Sequence, residues 1–141
     1  MTFFLSIDSK LNENDWWKEL LLLYAREGEN FEIHCWYDET DLIHLAEQYG
    51  CKTRSTIPEI TVVTGKVTRQ LIDLLTIGDK PEDSSGYNRM TPFYIVRIGE
   101  DFSSEQYGTS LLLTSDSTEQ IDVVESVLKS IGCHASIYRN T

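Results

Sequence analysis

The chain has 141 residues, 40% of them hydrophobic and 11% aromatic, with 23 acidic against 12 basic side chains and a formal net charge of −11. That length and apolar content suit one domain burying about two-thirds of its unfolded surface, which excludes global disorder. The charge excludes a nucleic-acid or anionic-membrane surface, because a field of this sign repels both and steers basic partners inward.

Along the chain, Phe3–Ile7 is aromatic and β-branched and reads as a strand. It has no basic flank and is too short to be a signal peptide. A helix is expected from about Glu13 to Glu27, opened by Asn12 and closed by Gly28. Its apolar stripe is Trp17, Leu20, Leu21 and Tyr24, while Leu22 falls among Asp15, Lys18, Glu19 and Arg26. The apolar run at Leu20–Leu23 is far below the ~20 residues that span a bilayer. Phe31–Tyr37 follows as a strand, with Phe31, Ile33, Cys35 and Tyr37 on one face and Glu32, His34 and Trp36 on the other. A short helix over Asp41–Tyr49 ends at Gly50, a strand takes Ile60–Val63, and a helix over about Lys66–Ile77 ends at Gly78. The segment Asp79–Thr91, with Pro81, Ser84, Ser85 and Gly86, is expected to be a mobile loop.

Strands are expected at Phe93–Ile98 and Ser110–Thr114, with a turn at Ser103–Gly108 between them. The clearest helix is Thr118–Ile131. Ser117 is its N-cap, Gln120 stands at capping-box spacing, and Gly132 is the stop. Its stripe is Ile121, Val124, Val127, Leu128 and Ile131, and a last strand takes Cys133–Tyr138. The order β-α-β-α-β-α-β-β-α-β describes a single α+β domain over residues 1–141. It predicts one mixed or antiparallel sheet with helices packed on it, a ferredoxin-like centre being one arrangement it admits.

The charge has a layout. Residues 1–50 carry 11 acids and 3 bases, residues 51–99 carry 5 and 7, and residues 100–141 carry 7 and 2. Cys35, Cys51 and Cys133 are widely spaced and form no Cys-x-x-Cys, which reads as reduced thiols in a cytoplasm. His34-Cys35 and Cys133-His134 are zinc-ligand types, but adjacent residues on a strand face opposite ways, so each pair offers one ligand and packing is the simpler reading. Asp8 and Asp116 each follow a strand. They would meet at one sheet edge if those strands lay parallel and adjacent; as turn and cap residues they need no partner. No Gly-x-Ser-x-Gly, His-Glu-x-x-His, phosphate loop or Gly-x-Gly-x-x-Gly is present. A non-enzymatic protein without cofactor or metal is expected.

The most suggestive stretch is Trp36-Tyr37-Asp38-Glu39-Thr40-Asp41, an aromatic beside an acidic turn. Aromatic anchors ringed by carboxylates select cationic partners, so Glu32, Trp36, Asp38, Glu39 and Asp41 are the candidate partner-binding residues. The alternative for Trp36 is burial under a helix. In its whole profile (small, acidic, single-domain, aromatics near carboxylates, no catalytic motif) the chain resembles the bacterial immunity proteins of contact-dependent growth inhibition systems. That resemblance implies a cognate basic toxin domain, such as a nuclease, as partner, with its substrate groove covered. Two other classes fit the composition: a phage-type DNA mimic, and a small metal-assisted enzyme using Asp8, Asp116 or the His/Cys pairs.

Overall fold

The computed structural model describes residues 1–8, 10–82 and 88–141. Among them, eight strands form one sheet: β1 (Thr2–Ile7), β2 (Asn30–Trp36), β3 (Cys51–Thr53), β4 (Ile60–Lys66), β5 (Ile95–Ile98), β6 (Phe102–Glu105), β7 (Ser110–Thr114) and β8 (Ala135–Asn140). Their spatial order is β3-β4-β2-β5-β6-β7-β1-β8, and every neighbouring pair is antiparallel. The helices are α1 (Asp15–Tyr24), α2 (Thr40–Glu47), α3 (Arg69–Thr76) and α4 (Thr118–Ile131). The fold is thus the α+β sheet with packed helices that the sequence describes. Its centre is the meander β5-β6-β7, and not a β-α-β-β-α-β repeat.

Alternation along the strands builds the core. Phe3, Leu5 and Ile7 of β1, Phe31, Ile33 and Cys35 of β2, and Leu111 and Leu113 of β7 all turn to one side and are buried. The buried residues of all four helices belong to the same cluster, so the helices cover one sheet face; on the opposite face, helix-free among the described residues, Ile60, Val62 and Ile95 are buried beside Trp36 and His34, whereas Phe4 and Tyr138 are exposed. Trp17, fully buried on α1, donates its indole N–H to Ser104 Oγ at 3.0 Å, which satisfies two polar atoms that burial would otherwise penalise. Close approaches demand glycine at Gly50, against the Thr64 carbonyl, and at two further positions. A Cβ on Gly65 would stand 2.9 Å from the Phe31 ring, and one on Gly108, which lies at φ +87°, would stand 2.7 Å from Met90 Cβ.

The connections correct the expected topology. β7 and β8 flank β1 and run parallel to each other, so β7-α4-β8 is a β-α-β unit with a strand inserted. β4-α3-β5 straddles β2 in the same way. The amino-terminal pair β1 and β2 forms no such unit, because β5, β6 and β7 separate them. Two strands are additional, β3 and β6, and β6 takes the first half of the turn expected at Ser103–Gly108. Gly132–His134 forms a 3₁₀ turn, which shifts the last strand to Ala135–Asn140. Of the loop expected over Asp79–Thr91, residues 83–87 lie outside the described residues. Its far end is anchored: Asn88 Nδ2 donates to the Leu11 carbonyl at 2.8 Å, and Met90 N to the Tyr107 carbonyl at 2.8 Å. No helix among the described residues is long and apolar enough to cross a membrane.

Candidate partner-binding turn

Four of the five candidate residues cluster where β2 meets α2: Trp36 ends the strand, Asp38 and Glu39 form the turn, and Asp41 lies in the first turn of the helix; Glu39 organises the rest. The Trp36 backbone N–H donates to Glu39 Oε1 at 2.8 Å, and the Glu39 N–H returns a bond to the Trp36 carbonyl at 3.0 Å. Glu39 Oε2 accepts from the Tyr107 hydroxyl at 3.0 Å and lies 3.7 Å from Arg89 Nη1. The Arg89 guanidinium in turn sits 3.7 Å over the Tyr107 ring. Burial first, and then the Glu39 carboxylate, push the Tyr107 hydroxyl up to about 12, so it remains a donor at any physiological pH. Glu39 therefore braces the turn from within, its side chain 15% exposed.

The brace places its neighbours. Tyr37 lies just past the end of β2 and is 64% exposed, not on the core face that alternation assigned to it. Its N–H is held by the Glu59 carbonyl at 2.8 Å. Asp38 and Asp41 are exposed, and neither has an ion-pair partner among the described residues. Trp36 is half-buried on the face opposite Cys35, where its ring meets Tyr94 at 5.0 Å. Tyr94 continues to Tyr107 at 5.4 Å, which gives a three-ring row ending at the brace.

Glu32 lies on the same face, directly opposite Arg97 in register. Its carboxylate meets His34 Nε2 at 3.1 Å and Arg97 Nη1 at 3.3 Å. The hydrogen bond to His34, and then Arg97, hold this carboxyl below its ordinary range. Glu32 is a member of a cross-strand network on the flank of the turn.

The metal and dyad arrangements do not assemble. β1 and β7 are antiparallel, so Asp8 and Asp116 lie at opposite ends of the sheet. Asp116 is 3.9 Å from the amino terminus, whereas Asp8 faces His134 at 3.4 Å. β2 and β8 stand five strand spacings apart, about 24 Å, which separates His34-Cys35 from Cys133-His134. Among the described residues no three His, Cys, Asp or Glu side chains converge on a metal-sized site.

Arg89, Tyr94 and Tyr107 are the residues packed around this turn that sequence reasoning missed. They come from a segment read as a loop and from a turn, and no local pattern ties them to Trp36. Only the folded backbone marks the place: Gln106 and Tyr107 adopt φ 51° and 59°, a conformation that favours Gly or Asn and that neither residue advertises in the sequence. No family model, curated protein or solved structure matches the chain.

Proposed function

We propose that this protein is an immunity protein: a stoichiometric, non-catalytic inhibitor that acts in the cytoplasm by docking on one basic toxin domain, a nuclease. The carrying observation is the Glu39 brace, which fixes a turn presenting Tyr37, Asp38 and Asp41 to solvent. Preorganised aromatic and carboxylate groups lose little entropy on binding, and that is what a tight inhibitor requires. A nuclease groove is cationic because it holds phosphates. Carboxylates on a rigid support occupy that groove, and Tyr37 supplies the apolar anchor beside them. The net charge of −11 supports the same reading by drawing a cationic surface in from a distance.

The test is to co-express this chain with a basic nuclease domain, should one be encoded in the neighbouring gene, and to measure nuclease activity and affinity in the purified pair. A one-to-one complex that silences the nuclease is expected. Tyr37→Ala should weaken it by about thirtyfold or more, the cost of a central aromatic anchor. Undiminished inhibition by a Tyr37/Asp38/Asp41→Ala triple variant would remove the turn from the interface. Equal inhibition of unrelated DNA-processing enzymes would mean charge mimicry in place of a cognate complex.

A further inference from the structure

The two edges of the sheet are unlike. β3 is three residues long and carries Lys52, the short, charged form in which natural sheets discourage pairing. β8 runs for six residues, has no Lys or Pro, and among the described residues pairs only with β1. Its one charged side chain, Arg139, is engaged with Glu125 of α4 at 2.6 and 2.8 Å. Nothing among the described residues covers its outer edge, and Ser136, Tyr138 and Asn140 are exposed.

A groove lies on each side of this strand. On the helix-free face, Ser6, Ser110 and Ser136 stand in one cross-strand row, and Phe4, Leu112 and Tyr138 stand in the next. The small row beside the large one leaves a groove of about 380 Å³, with Glu105 at its rim. Phe4 and Tyr138 pack ring to ring at 6.0 Å, yet remain 46% and 62% exposed. On the helix side, β8 and α4 enclose a second groove of about 690 Å³ lined by Ile137, Leu128, Asp122 and Lys129. An added strand points alternate side chains to opposite faces, so it would place one set in each groove while its backbone pairs with β8.

We propose that β8 is a strand-addition site for an extended segment of the basic partner, with apolar side chains in the serine-floored groove and basic or polar ones along α4. The occupant follows from charge: a second copy of this chain brings another −11 and is repelled, whereas a basic segment is drawn in by that field and by Glu119 and Asp122, the exposed acids of α4 that remain against Lys129 once Glu125 is paired with Arg139. The proposal rests on the partner-binding reading above for the source of the segment. Its test uses a peptide and no cognate partner, so the two can fail separately.

The experiment is residue-resolved amide hydrogen exchange on the full chain with a short peptide of alternating lysine and valine at millimolar concentration. Exchange of the outward amides of β8 should slow by about tenfold or more while those of β3 stay unchanged. A peptide of alternating glutamate and valine should have no such effect. A Phe4→Ser/Tyr138→Ser variant, altered only at exposed side chains, should lose the protection while keeping its circular dichroism. Absence of β8 protection, equal protection of β3, or equal protection by the glutamate peptide would each overturn the site. Slowed β8 exchange that grows with protein concentration without peptide would replace the partner segment with a second copy.

Discussion

Glu39 concentrates more of the turn's geometry than any other residue, and its replacement separates bracing from contact. Its carboxylate serves the Trp36 N–H, the Tyr107 hydroxyl and the Arg89 guanidinium together, at 15% exposure. Glu39→Ala removes all three contacts of this carboxylate, so unfolding in urea should show a loss of about 2–4 kcal/mol. Tyr107→Phe removes only the hydroxyl from this network and should cost about 1 kcal/mol. A Glu39→Ala protein as stable as the wild type would dissolve the brace. Cys35 offers a second residue-level check. It is fully buried, and burial, followed by the nearby Glu39, pushes its thiol up to about 12, whereas Cys51 and Cys133 are exposed. A thiol reagent at pH 8 should therefore modify Cys51 and Cys133 rapidly in the native protein and reach Cys35 only on unfolding. Three thiols reacting at one rate would contradict this core.

Elements were legible where a local pattern suffices and opaque where pairing decides. α4 matches its expected span residue for residue, because Ser117 Oγ does accept from the Gln120 N–H, at 3.3 Å, and the apolar stripe points one way. In α1 the first cap is Asn14, not Asn12: Asn14 is buried, with its amide donating to the Met90 carbonyl at 3.0 Å, a tertiary bond that moves the start of the helix. β3 and β6 escaped notice because Cys-Lys-Thr and Phe-Ser-Ser-Glu carry no apolar alternation; β4 and the β5-β7 pair supply their hydrogen bonds. The candidate turn was half legible: its charges and aromatics show in the sequence, but the assignment of Glu39 to the interior depends on Arg89 and Tyr107, fifty or more positions away. The β2-β5 seam carries a pH prediction of its own. Glu32 is ionised below its ordinary 4.5 by His34 and Arg97. A carboxyl lowered in the folded state stabilises it fully above the unfolded value and loses that contribution as pH falls through the folded one. Glu32→Gln should thus be less stable than wild type at pH 6–7, and the gap should close in acid. With 44% of the side chain exposed, water screening keeps it under about 1 kcal/mol. A gap that instead widens below pH 4 would reverse the assignment.

At the scale of the molecule, the helix-free sheet face joins the two proposed contacts. From the Trp36 end of β2 to β8 is five strand spacings, about 24 Å. A standard interface of about 800 Å² per partner is roughly 30 Å across, so one partner lying over this face can reach both the turn and the β8 edge. The field that brings it there comes from a subset of the acids. Glu32, Glu39, Glu47, Asp73 and Glu125 each have a Lys or Arg within 4.0 Å and are neutralised locally. Asp38, Asp41 and Glu105 stand exposed without one among the described residues, and they lie beside the proposed contacts. Screening by salt acts on such exposed, long-range charges and leaves short apolar contacts intact. The association rate with a basic nuclease domain should accordingly fall by about tenfold or more from low salt to 0.5 M, while the dissociation rate changes little. Asp38→Lys/Asp41→Lys should lower the low-salt association rate toward the high-salt value and flatten the dependence, because reversal of these charges removes the local attraction at its source. Stopped-flow mixing across a salt series measures both quantities. A rate indifferent to salt, or a charge-reversed variant that associates as fast as wild type, would assign the acidity to solubility and leave recognition to Tyr37 and the grooves beside β8.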